Sequence, residues 1–334
     1  MRSIKKISSP DMIDPRWDEL ADFYFQKTEF LNHLHKYNTC SQRYYELYRD
    51  DTFVAGTVVY TLPINIFTFS NFYTAFNAQV IGLPASVAAP PIIGDASEFE
   101  YLLSEIIRSE RGLILGINFM EDYLQNKVVN MRTLPTMVLN LKQDNFTRYE
   151  NSLRHNYRRR IHRIREKFQD VKAVSSGCIE FSERHYALYL QIMKKTTTKL
   201  ETLSLDVFKY LPSNFVLTTY YSGNDMLCWH ITCADTTTFF FFFGGMNYTL
   251  YKKFASYNNN LLGILSAAME KKYRIIDLGQ TAEIAKARIG GEPSERRMFL
   301  YHRNPIIIML IRLFRSVLSY TKRHEKSHVF KLEN

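Results

Sequence analysis

Cysteine is scarce: four residues in 334, at 40, 178, 228 and 233, with no C-x-x-C spacing. That excludes a disulfide-stapled scaffold and argues against a zinc site, so no metal is expected; scattered thiols fit a reducing, cytoplasmic setting. Glycine (13) and proline (10) are few as well, which argues against low-complexity linkers. The N-terminal stretch lacks the apolar run of a secretory leader, and no run approaches the length of a membrane span. Acidic residues number 33 against 43 Lys and Arg, a formal net charge of +10. An excess of that size suits a polyanionic partner, whether nucleic acid, a phosphate-bearing cofactor or an anionic membrane surface; a basic surface kept for solubility is the alternative.

What is present is apolar and aromatic, at 46% and 14% of the chain, enough to fill the cores of two domains. Residues 1–14 are polar and read as loose. A helix is predicted over 17–34, a hairpin over 44–60 turning at Asp50-Asp51, and a stop in the next extended stretch at Pro63. A strand over 80–83, a helix over 98–108 capped by Ser97, and strands over 113–117 and 137–141 follow. A helix over 182–195 and a hairpin over 215–233 then repeat the earlier order in outline.

The most informative stretch runs from 239 to 304. Phe239 to Phe243 is a continuous apolar run stopped by Gly244 and Gly245, as for a strand buried on both faces. From Tyr257 the period becomes helical, with Leu261, Leu265 and Ala268 on one face and Asn258, Asn259 and Asn260 suited to the N-terminus. Residues 274–278 form a second buried strand, and Gly279, Gln280 and Thr281 open a turn at its end. Strand, crossover helix and strand make a parallel pair, and ligands bind where such strands end.

A second stretch, 145–168, is helical. Leu153, Tyr157, Ile161, Ile164 and Phe168 define a buried stripe, while Arg154, Arg158, Arg159, Arg160, Arg163, Arg165 and Lys167 cover much of the rest. Such a face is either merely solvated or an electrostatic guide for phosphates.

The run DLGQTAEIAKARIGGEP, preceded by the crossover helix and followed by YHRNP, resembles the C-terminal half of GNAT-superfamily acyltransferases of the FemAB-like branch. The segment SLRHNYRRRIHRIREK resembles the basic helix that opens that domain. The resemblance implies an α/β fold of two GNAT-like domains with mixed sheets flanked by helices. The domains are expected as a degenerate one at 1–142, an acyltransferase domain at 143–304, and an amphipathic basic helix and tail at 305–334. It implies transfer of an acyl or aminoacyl group, from acyl-CoA or aminoacyl-tRNA, to an amine-bearing acceptor. The Q/R-x-x-G-x-G/A loop that holds CoA pyrophosphate in ordinary GNAT enzymes is missing; Gly244 to Tyr248 stand in its place. No helical hairpin insertion of the Fem type is visible either.

Acyl transfer to an amine needs a proton acceptor and a group that stabilises the oxyanion. Asp277 lies in the apolar run RIIDLG, where an acid needs a partner, and Lys286 lies on the helix that starts near Thr281. Either Asp277 or Glu283 handles protons while Lys286 holds donor phosphate or carbonyl, or Asp277 and Lys286 form a structural ion pair. Gln280 and Thr281 bind substrate or cap the helix, capping being the simpler role for Thr281; Tyr248 and Lys252 line a pocket mouth or cover a loop. Arg154, Arg158, Arg159 and Arg163 are the candidates for donor phosphates. Cys228 and His230 share a strand face, as a thiol–imidazole pair or as a buried thiol beside a satisfied histidine. The alternative to an enzyme is a non-catalytic nucleic-acid-binding protein using the basic helix. Residues 306–323 make either a peripheral membrane contact or a helix docked on its own domain.

Overall fold

A computed structural model describes residues 1–70, 74–321 and 327–331. The chain folds as two compact units, one of Met1–Leu134, Thr197–Val207 and Glu295–Lys322, the other of Pro135–Thr196, Phe208–Ser294 and Arg323–Asn334. Of the expected C-terminal segment, 322–326 and 332–334 lie outside the described residues. The strands in chain order are β1 (Arg2–Ile7), β2 (Arg43–Arg49), β3 (Thr52–Asn65), β4 (Ala75–Ile81), β5 (Ile92–Gly94), β6 (Leu113–Phe119) and β7 (Val129–Asn140). They continue with β8 (Lys172–Gly177), β9 (Val216–Ser222), β10 (Asp225–Ala234), β11 (Thr238–Met246), β12 (Ile275–Asp277) and β13 (Glu292–His302).

In the first unit the strand order is β1-β2-β3-β4-β6-β13, with β5 on β3. β4 and β6 are parallel, joined through the helix Phe99–Ser109. That helix buries Leu102, Leu103, Ile106 and Ile107 against Leu47, Val59, Ile81 and Ile114. Val80 falls in a different cluster, with Tyr60, Leu115, Ile308 and Ile311, as alternation along a strand requires. The unit is therefore a mixed sheet flanked by helices. Residues 1–14 are not all loose: β1 pairs along β2, and its Arg2, Lys5 and Lys6 give a charged edge strand. The predicted helix over 17–34 is broken into Trp17–Leu20 and Thr28–Tyr37, because the Asp18 carboxylate accepts from both Thr28 N (2.7 Å) and Thr28 Oγ1 (2.8 Å) and restarts the chain there. Nor does Pro63 stop β3. β2 pairs only as far as Val59, so the missing proline N–H forfeits no ladder bond on that side.

In the second unit the order is β7-β12-β11-β10-β9-β8. β11 and β12 are parallel, as predicted, and the other pairs are antiparallel. The crossover helix is Ser256–Glu270; it packs Leu261, Ile264, Leu265 and Ala268 against Met137, Leu139, Phe239, Ile276 and Leu278. Both units thus carry one parallel pair joined by a helical crossover. The glycines at 244 and 245 do not end β11, which runs through them to Met246. Gly245 is required because the Trp229 indole crosses the strand there: a Cβ on Gly245 would lie 2.1 Å from its Nε1, which donates to His185 O. The basic segment forms two helices, Phe146–Ser152 and His155–Glu166. The break is tertiary in origin. The segment around Phe330 crosses it, with Arg154 N donating to Val329 O and Lys331 N to Ser152 O.

Candidate active site

β11 and β12 pair only from Thr238 to Phe240, opposite Ile275 to Asp277. Beyond that point β12 has ended while β11 continues to Met246, so the backbone of β11 past Phe240 is left without β12 beside it. The turn that leaves β12 bounds this opening. Gly279, Thr281 and Ala282 all have positive φ (71°, 62° and 49°), and for a β-branched residue such as Thr281 that is a strained conformation. Thr281 is exposed and does not cap the next helix, Glu283–Ala287; Ala282 holds the N-cap position and supplies no side-chain cap bond.

Two polar side chains, half-buried Asp277 and buried Lys286, hold the turn in that shape. Asp277 Oδ1 accepts from Thr136 Oγ1 at 2.6 Å and from Gly279 N at 2.7 Å. Its Oδ2 takes no hydrogen bond among the described residues. Lys286, 2% exposed, donates from Nζ to Gly279 O at 3.0 Å and to Gln280 O at 2.6 Å. Burial pushes the Lys286 ammonium down to about 7, while the charges of Asp277 and Glu283 hold it up. No ion pair within bonding distance joins Asp277 to Lys286 among the described residues; the lysine is spent on backbone carbonyls.

Basic side chains gather at the N-terminus of the crossover helix. Asn156, Arg159, Arg160, Arg163, Ile164 and Lys167 line an open groove of about 260 Å³ with Ala255. Ala255 adopts a left-handed conformation (φ 49°) at the N-cap of Ser256–Glu270, so the positive end of a fifteen-residue helix meets the groove. Asn259 fixes the junction, donating from Nδ2 to Ile164 O and Phe254 O. None of Arg159, Arg160, Arg163 and Lys167 pairs with a carboxylate among the described residues. Burial and the neighbouring Arg288 both hold the Arg160 guanidinium below its usual range.

No family model and no curated protein matches the sequence. Solved structures do match in fold. L-PGS from Bacillus licheniformis is 11% identical, with 93% of this chain and 99% of that one covered and a TM-score of 0.51. A conserved protein of unknown function from Bacteroides thetaiotaomicron is 12% identical, with 90% and 100% covered and a TM-score of 0.50. FemX is 11% identical, with 82% and 90% covered and a TM-score of 0.49. The fold is of the GNAT type. At 11% and 12% identity the likeness is one of fold.

On this GNAT fold, Asp277, Gln280, Thr281, Glu283 and Lys286 fall together in and just after the turn. Arg159 and Arg163 line the groove, whereas Arg154 donates from Nε to Phe330 O and Arg158 is not among the groove's lining residues. Tyr248 accepts the Lys195 ammonium over its ring at 3.7 Å and packs on Tyr251; Lys252 is exposed beside them. Cys228 and His230 are shut under the crossover helix, His230 Nδ1 lying 2.7 Å from Asn260 Oδ1, and burial pushes the thiol up and the imidazole down. Sequence reasoning placed Arg160 and Lys167 in the basic cover without singling them out, and missed Asn156 and Ala255. Facing of the helix turns could have recovered the first two; Ala255 carried no signal.

Proposed function

We propose that residues 143–304 are an N-acyltransferase domain of the GNAT/FemAB-like type, acting on a polyanionic donor and an amine. The observation that carries this reading is the pairing of a β11/β12 opening, bounded by Asp277, with an unneutralised groove of Arg159, Arg160, Arg163 and Lys167 at the head of the same crossover helix. The donor's phosphates occupy the groove, with acyl-CoA and aminoacyl-tRNA as the two donor classes. The acyl carbonyl lies at the opening, where amides of β11 past Phe240 stabilise its oxygen as negative charge develops. The amine nitrogen attacks the acyl carbon, the C–S bond of a thioester or the C–O bond of an aminoacyl ester breaks, and Asp277 Oδ2 takes the amine's proton. The leaving thiolate or alkoxide then takes that proton from Asp277, directly or through water, which restores the carboxylate. Lys286 is a positioning residue that holds the Gly279 and Gln280 carbonyls, and Gln280, Thr281, Tyr248 and Lys252 are the acceptor-side candidates.

The alternative, a non-catalytic nucleic-acid-binding protein, is favoured by one observation: Lys286 and Oδ1 of Asp277 already spend their polar atoms on the turn. Mass spectrometry of amines incubated with acyl-CoA and aminoacyl-tRNA panels separates the two. Transfer that falls at least about a hundredfold in Asp277→Asn supports the enzyme. Nucleic-acid binding with no transfer from either donor class supports the alternative.

A further inference from the structure

The helix Pro305–Leu313 is apolar on almost every side (PIIIMLIRL), the pattern of a helix covered all round. Only one stripe is covered. Ile308, Ile311 and, in the next turn, Leu318 pack in the first unit's core with Leu115, Met298 and Leu300. The other stripe stands in solvent: Ile306 and Met309 are each 62% exposed and Leu313 74%, with Leu310, Phe314 and Val317 also exposed. These positions, 306, 309, 310, 313, 314 and 317, recur at helical spacing and so form one continuous apolar face.

We propose that this face seats on an anionic membrane surface, with the chain lying in the interface rather than crossing it. The charge around it selects that occupant. Between Glu295 and Glu325 the sequence holds seven Lys and Arg and no acidic residue. Arg303, Arg312 and Arg315 are exposed, and their guanidiniums donate to the carbonyls of Arg108, Asn126 and Asn130. Carbonyls satisfy the N–H groups without cancelling the charge, and no carboxylate pairs with these three among the described residues. An apolar stripe on the same segment as these uncancelled arginines suits anionic headgroups above and acyl chains beneath. No helix among the described residues is long and apolar enough to cross a membrane. Docking on the unit's own core and docking on lipid use different stripes of the same helix, so they do not compete.

The test is sedimentation of the full chain with vesicles of phosphatidylcholine, with and without phosphatidylglycerol, at about 0.15 M salt. The expected result is sedimentation with the anionic vesicles, at least about tenfold weaker on phosphatidylcholine alone and at least about tenfold weaker for Ile306→Asp/Leu313→Asp. Circular dichroism checks that the variant is folded; if it is not, Met309→Gln/Leu313→Gln replaces it, both positions being exposed. Absence of sedimentation with anionic vesicles overturns the proposal. So does a concentration-dependent dimer, seen by light scattering, that Leu313→Asp dissolves, since a second copy would then be the occupant.

Discussion

Lys286→Met tests the electrostatics of the turn. The folded amine titrates at about 7 rather than 10.5, because burial disfavours its charged form. Between those values the unfolded chain binds a proton that the folded chain does not, so stability rises with pH through that window. The contribution is complete above 10.5 and lost as pH falls through about 7; below that, both states are protonated and this group adds no slope. At 1.36 kcal/mol per pKa unit the full span is about 5 kcal/mol, and between pH 7 and 9.5 it is about 3 kcal/mol. Methionine keeps the aliphatic stem but neither titrates nor donates to Gly279 O and Gln280 O. Urea unfolding of both proteins across this range cancels groups they share. The wild type should gain about 3 kcal/mol on the variant from pH 7 to 9.5. A difference that stays flat to pH 9.5 and falls only above 10.5 would refute the reasoning, since it would mean that the folded amine stays charged, as in a true ion pair with Asp277.

Thr281→Gly should stabilise the chain by about 1 kcal/mol in thermal or urea unfolding, because glycine accepts the positive φ. A loss of stability would show that the Thr281 side chain holds the turn. Gly245→Ala should cost at least about 2 kcal/mol by driving a methyl into the Trp229 indole and its bond to His185 O; full stability would contradict the crossing of Trp229. Leu153→Ala, at the fully buried break before the basic helix, should cost about 3 kcal/mol. A cost below about 1 kcal/mol would place that side chain outside the core.

Legibility followed periodicity. The parallel β11/β12 pair and its crossover were readable because the change from a continuous apolar run to helical spacing is a local signal. The turn residues were readable for the same reason: an acid inside RIIDLG demands a partner. What escaped was tertiary. Nothing in Leu153-Arg154 announces a break, which comes from a strand segment around Phe330 more than 170 residues away. Gly244-Gly245 looks like a stop, but the strand runs on, and Gly245 is instead the passage for a tryptophan on the neighbouring strand. β1 and β8 were not read because edge strands with charged or small exposed side chains carry no period-two apolar pattern. The basic cover of the second helix was plain, but which arginines share a groove depends on where Ala255 brings the next helix.

The most direct measurement of the central claim is the salt dependence of donor binding, in the wild type and in Arg159→Ala/Arg160→Ala/Arg163→Ala. Four groove cations predict for tRNA a slope of log K against log salt of about −3 to −4, flattened to about −1 in the variant. For acyl-CoA, two or three cations suffice, so a shallower slope is expected, and the variant should bind at least about tenfold more weakly. Either pattern, with acyl transfer falling in step, is the predicted result. Undiminished binding and transfer in the folded variant would contradict the account.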